Sequence, residues 1–335
     1  MRVVARPRES SGDTMRMLHR ISLSAPTLAL AIAAMPLAPR TGGALFAAQQ
    51  SPSSDPQQID PHGKPPTDQD IRTRADQFVA NQHRDDEALE QYERIEHHVD
   101  RAAGSNPRTI EDKVYRMVPT GAGTSKIVLR DSDKPVDAEM YNREMQSLKD
   151  LLQSMANPND PAAKAALAKR ARREHDRADF VDAAKTSFKI KWLGTAWVHS
   201  RQCDVFELDP DSSFHPHGVF QDALAHVTAK VWVDRETNQL ARGEARIMSD
   251  VSFGGGILGK LYRGGVVSME QAEVAPGIWL PTHMQYDFAG RKFLFPFEQH
   301  QTIDASHYRR IGPPAEALTL VQNELANGKP FIVDP

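Results

Sequence analysis

Val227-Thr-Ala-Lys-Val-Trp-Val-Asp234, the turn Arg-Glu-Thr-Asn238 and the return from Leu240 to Val251 decide the fold. Val227, Ala229, Val231 and Val233 alternate with Thr228, Lys230 and Trp232. A period of two puts the valines on one side of a strand and the lysine on the other. Asp234 to Asn238 is rich in turn residues, and a second apolar run follows at once, so the stretch predicts an antiparallel hairpin.

Working outward, the same pattern repeats. Upstream, Phe188, Ile190 and Trp192 alternate with lysines. Downstream, Val266 to Val274 and Ile278 to Gly290 are strand-like and are joined by Ala275-Pro-Gly277. Lys292 to Ile303 follows, with Phe293, Phe295 and Phe297 at alternate positions and Pro296 marking an edge or a bulge. Consecutive strands with short turns, together with the helices expected nearer the N-terminus, favour an α+β fold built on an antiparallel sheet that curls around one apolar face.

Towards the N-terminus, Leu89 to Val118 reads as two strands around Gly104-Ser-Asn-Pro107, although Leu89 to Val99 also fits a helix. Ser125 to Arg130 is a third strand. Helices are expected near 67–86, 137–156 and 160–180, in a single domain over 67–310 followed by a tail with a short helix over 311–335. Thr67 caps the first, with Ile71, Ala75, Phe78 and Val79 on one face. Asp137 caps the second, where Tyr141, Met145, Leu148, Leu152 and Met155 recur at helical spacing. Asp160-Pro161 opens the third, which carries the basic cluster Lys169-Arg170-Ala-Arg172-Arg173, a solvated face or a patch for lipid head groups.

The first 48 residues have the pattern of a secretory signal. The basic stretch Met15 to Arg20 runs into apolar Ile21 to Ala38. No cysteine close behind it offers a lipid attachment site, so the expectation is export to the periplasm without a lipid anchor. Residues 49–66 read as a polar linker. The single cysteine, Cys203, lies inside a strand-like run, which favours a buried, inert thiol. With 41 basic and 44 acidic residues the chain has no general field for nucleic acid.

Gly254-Gly-Gly256-Ile-Leu-Gly259-Lys260 matches the spacing of phosphate-binding loops. Leu261 replaces the Ser or Thr that holds magnesium, and Tyr262-Arg-Gly-Gly-Val-Val cannot open a helix, so nucleotide binding is set aside. The better reading is a mobile loop, Gly254, Gly255, Gly256, Ile257 and Leu258, with apolar tips that meet lipid or a partner. No Gly-x-Ser-x-Gly elbow is present, and His215-Pro-His217 lacks the further ligands of a metal site. No catalytic residue, metal or cofactor is assigned.

The order Ala229-Lys-Val-Trp-Val-Asp234, a turn, Leu240-Ala-Arg242, a long strand and then Ala275-Pro-Gly-Ile-Trp279-Leu-Pro281 resembles the LolA/LolB-like envelope carriers, including the outer-membrane lipoprotein-sorting proteins. The resemblance spans roughly 188–303. It implies a curled antiparallel sheet forming an incomplete β-barrel capped by helices, with an apolar cavity that receives acyl chains from a lipid or lipoprotein and no covalent chemistry. A chain of about 15 methylenes at ~0.8 kcal/mol each needs on the order of 10 kcal/mol of shelter from water. Candidate lining residues are Phe188, Ile190, Trp192, Val231, Val233, Ile247, Met269, Met284, Phe288, Phe293, Phe295 and Phe297. The arginine that helps close the lid in those carriers has no match here. An envelope scaffold with a filled core is the alternative reading, and a histidine-based metal hydrolase the third.

Overall fold

The computed structural model describes residues 58–328, except 105–106, 218, 254–255 and 257–258. The expected signal segment, the first half of the linker and all of the 254–258 loop but Gly256 lie outside the described residues.

Among the described residues, four long helices and thirteen strands make the α+β fold. α1 (Asp68–Leu89) leads into β1 (Tyr92–Arg101), β2 (Thr109–Pro119), β3 (Thr124–Asp131) and the short β4 (Lys134–Pro135). α2 (Ala138–Ala156) and α3 (Pro161–Ser187) follow, then β5 (Phe188–Val198) and β6 (Arg201–Pro210). A helical turn over Val219–Asp222 and Ala223–His226 precedes β7 (Val227–Asp234) and β8 (Leu240–Ile247). β9 (Val251–Phe253), β10 (Gly259–Leu261), β11 (Val266–Ala275), β12 (Ile278–Lys292), β13 (Phe295–Arg310) and α4 (Pro314–Asn327) complete the chain.

All pairings are antiparallel, in the order β4-β3-β2-β1-β13-β12-β11-β8-β7-β6-β5, with β10 and β9 attached beside β12. β4 and β5 stay apart, so the sheet is open rather than a closed barrel. β10 occupies the position where a phosphate loop would start its helix.

Local chemistry sets the helices. The Thr67 hydroxyl accepts from the Asp70 N–H while the Asp70 carboxylate accepts from the Thr67 N–H, a capping box worth about 1 kcal/mol. Asp137 caps α2, and Asp160 with Pro161 opens α3. α3 runs to Ser187, seven residues beyond the predicted end, because no breaker intervenes and Phe180 and Ala183 pack with Leu224. The stretch open to both readings is β1 from Tyr92, and its weak alternation has a physical cause: its charged residues face inward. Arg94, Glu96 and His98 are all buried, with Arg94 Nε donating to Glu96 at 2.6 Å and Glu96 bonded to His98 at 2.6 Å.

Cross-strand partners share a face, and the register therefore traces one row across the sheet. Val231, Gly243, Met269, Met284, Ile303 and His98 are successive partners on β7, β8, β11, β12, β13 and β1. α1 lies on this face, with Phe78 packed against the cluster that holds Met269 and Met284. The alternate residues Ile95, Arg116 and Ile127 face the other way, where Arg116 meets Tyr141 of α2 and Glu324 of α4. The two halves of the sheet are thus covered on opposite faces.

Candidate functional site: an apolar cavity under two helices

Between α1, the last two turns of α3 and strands β5–β8 lies a cavity of about 170 Å³. Each wall follows from a sequence period. α1 contributes Ile71, Ala75, Phe78 and Val79, the 3–4-spaced face read from the sequence. β7 contributes Val227, Ala229, Val231 and Val233, the odd-numbered apolar face of the hairpin strand that opened the reading. β5 and β6 add Phe188, Ile190, Phe206 and Leu208, α3 adds Phe180, Val181 and Ala184, and β8 adds Leu240 and Ala245. Of the wall residues only Arg74, Gln82 and Lys185 are polar. Ile71, Phe78, Phe188, Ile190, Leu208 and Val231 are only half-buried, so apolar surface remains uncovered along the walls.

The polar wall residues are mostly occupied elsewhere. Arg74 of α1 donates to Asp204 at 2.5 Å and to Asn238 at 2.8 Å. Asn81 donates to the Thr237 and Asn238 carbonyls, and Asp85 accepts from the Trp279 N–H at 3.3 Å. α1 is therefore fastened to the β7–β8 turn and to β12 along its length. α3 is held differently, through ion pairs at the rim: Arg177 with Asp86, Lys185 with Asp76 at 3.3 Å and Arg170 with Glu90 at 3.7 Å. Burial pushes the carboxyl of Asp85 up to about 6 and that of Asp86 up to about 7, the latter against the pull of Arg177.

Of the twelve residues picked from the sequence as lining, Phe188, Ile190, Val231 and Val233 border this cavity. The other eight lie elsewhere. Trp192 turns its indole N–H to Asp204 at 2.9 Å. Ile247, Met269, Met284 and Phe288 are fully buried in the neighbouring core, and Phe297 packs at its edge. Phe293 sits in the β12–β13 turn rather than in a strand, and both it and Phe295 are exposed. Alternation identifies a face; it does not say whether another side chain or a void lies opposite. Phe78, Phe180, Phe206 and Leu208 were not singled out as lining, since nothing in the sequence says which helix covers which strands.

His215 holds the Ser213 carbonyl through Nδ1 at 2.7 Å, and the His217 N–H donates to Gln221. Among the described residues no group of three or more His, Cys, Asp or Glu side chains is placed to hold a metal ion. Nor is any helix among them long and apolar enough to cross a membrane. Cys203 is buried, and burial pushes its thiol up to about 12, which makes it a poor nucleophile.

No protein-family model and no curated protein matches the chain. Among solved structures it is similar to a domain described as an outer membrane lipoprotein-sorting protein from Vibrio parahaemolyticus, at 8% identity and TM-score 0.28, over 74% of this chain and 99% of that one. A DUF1329 family protein from Desulfovibrio piger matches at 14% identity and TM-score 0.26, over 72% and 92%. A LolA superfamily protein from Nitrosomonas europaea matches at 8% identity and TM-score 0.25, over 72% and 96%. At these scores the site has to be interpreted from its own geometry.

Proposed function

We propose that the chain is a binding protein of the bacterial periplasm that shelters an acyl chain of a lipid or lipoprotein in the cavity beneath α1 and α3, without covalent chemistry. The observation that carries this reading is the cavity itself: an almost wholly apolar wall with half-buried aliphatic and aromatic side chains around an unfilled space. Such a space is a standing cost to a fold unless something apolar occupies it.

Its size sharpens the proposal. At about 170 Å³ it compares with the ~150 Å³ void that takes a single benzene. Small-molecule sites run from roughly 300 Å³ upwards. A full acyl chain therefore requires the cavity to widen. α3 is the wall that gives way, since it is held by ion pairs at its rim, of which the exposed Lys185–Asp76 pair is worth about 0–1 kcal/mol, whereas α1 is tied by hydrogen bonds to the turn beneath it.

Native mass spectrometry of protein purified from its own envelope tests this. Bound lipid that is lost when Ala229→Leu fills the wall is the expected result; protein that stays ligand-free, and gains none when offered lysophospholipid, defeats the proposal.

A further inference from the structure

The hairpin between β12 and β13 breaks two rules of local structure at once. Its loop is two residues long, Phe293-Leu294, between the paired Lys292 and Phe295. Such loops favour Asn, Asp or Gly, because the chain has to adopt positive φ. Here Phe293 holds φ +53°, a conformation that bulky residues avoid. Soluble proteins also avoid runs of exposed large apolar residues, yet Phe293, Leu294 and Phe295 are 49%, 85% and 62% exposed. Turn chemistry and solubility both argue against this tripeptide, so contact with something apolar is the reason left for it.

On its β1 side the tip stands clear of the sheet, while β10 pairs with β12 as far as Lys292. β1 stops pairing with β13 at Asp100↔Gln301, so six residues of β13 run on beyond it, about 20 Å at strand rise. Pro296 lies in this overhang, where the lack of an N–H costs no ladder bond to β1. The overhang is stiff. Phe297 packs edge-on against Phe288 with ring centres 6.3 Å apart. A side chain at Gly290 would collide with the Phe297 ring and the Lys260 carbonyl, so glycine lets the strands close. Arg291 donates to the carbonyls of Phe293 at 3.3 Å and Gly256 at 3.0 Å.

Charge selects the partner. Arg291 and Lys292 precede the tip, Lys260 is the β10 partner of Arg291 and pairs with Asp250 at 2.7 Å, and the next acidic residue along β13 is Glu298. A rigid apolar point with cations behind it suits a bilayer, with rings and leucine among the acyl chains and cations level with anionic head groups. We propose that Phe293-Leu294-Phe295 is a lipid-contacting foot that inserts into the surface of membranes carrying anionic head groups.

The buried, unreactive Cys203 makes the test simple, because a single added cysteine takes all of an environment-sensitive fluorophore. In the full chain, label at Leu294→Cys brightens at least two-fold and shifts to the blue on vesicles of phosphatidylcholine with phosphatidylglycerol. The response falls at least five-fold on phosphatidylcholine alone or in a Phe293→Asn, Phe295→Ser background. Label at Leu167→Cys, exposed on α3, stays unchanged. No response at position 294, an equal response on both vesicle types, or equal responses at 294 and 167 overturns the proposal. Soluble protein ligands that shield label 294 while vesicles do not overturn it as well. Ala229→Leu, which closes the cavity, leaves the tip response intact, so failure of the carrier reading and failure of this one are distinguishable.

Discussion

The sheet carries helices on both faces, and the two seams differ. On one face of β1–β3, α2 and α4 bury Tyr141, Met145, Leu148, Leu152, Ala317 and Val321 against Val118 and Ile127, and the seam is filled. Its charge network is anchored inside: buried Arg116 bonds both buried Glu93 and half-buried Glu324, and Arg309, at the surface, bonds the same two carboxylates. On the opposite face of β5–β8, α1 and α3 leave a void, and the charges that join them stand at the rim. A buried pair such as Arg116–Glu93 fixes one arrangement, whereas pairs at the rim let a helix depart and return. The filled seam is thus built to hold, and the other to open.

Breaking a charge in each seam gives the largest contrast. Arg116→Met leaves Glu93 and Glu324 competing for Arg309 alone and costs about 3–5 kcal/mol in urea unfolding. Lys185→Met, at the rim, costs less than about 1 kcal/mol. Equal costs would erase the distinction between the seams.

Overpacking is the next probe. Ala317→Leu in the filled seam costs about 1–3 kcal/mol, because there is nowhere for the added carbons to go. Ala229→Leu points into the void and changes stability by less than about 1 kcal/mol while excluding ligand. Thermal unfolding alongside ligand mass spectrometry reads both effects.

The smallest effect is on pH. Burial raises the carboxyls of Asp85 and Asp86 in the fold, so the neutral forms are favoured there and the charged forms are not. The stabilisation this gives is complete below the ordinary carboxylate range and is lost as pH rises through about 6 to 7. Protection factors of α1 and α3 amides should accordingly be higher at pH 5 than at pH 8, with the α2–α4 seam flat over the same range. Asp86→Asn should reduce the slope; a slope unchanged by that substitution would assign it to other groups.

Periodicity alone made the α2 face legible, because Tyr141 to Met155 repeats at helical spacing and packs against sheet in any arrangement. The β7 valines were legible for the same reason. Arg94, Glu96 and Arg116 were not, since a charged residue reads as exposed until its partners are known, and theirs lie up to 208 residues away in sequence. Phe293 and Phe295 were assigned to a lining face because period two continues through a hairpin turn on paper. In the fold, the two-residue loop at 293–294 ends one strand and begins another, and the phenylalanines end outside.

The sequence by itself determined most strands and helices and the apolar side of those with clear alternation, because these follow from local periodicity and capping, while Leu89–Val99 stayed open and the turn at 293–294 was read through as strand. Only the tertiary structure decided that two pairs of helices cover opposite faces of the two halves of an open sheet, one seam filled and one hollow. Whether an apolar face meets a side chain or a void depends on volumes brought together from distant segments, which no local pattern encodes.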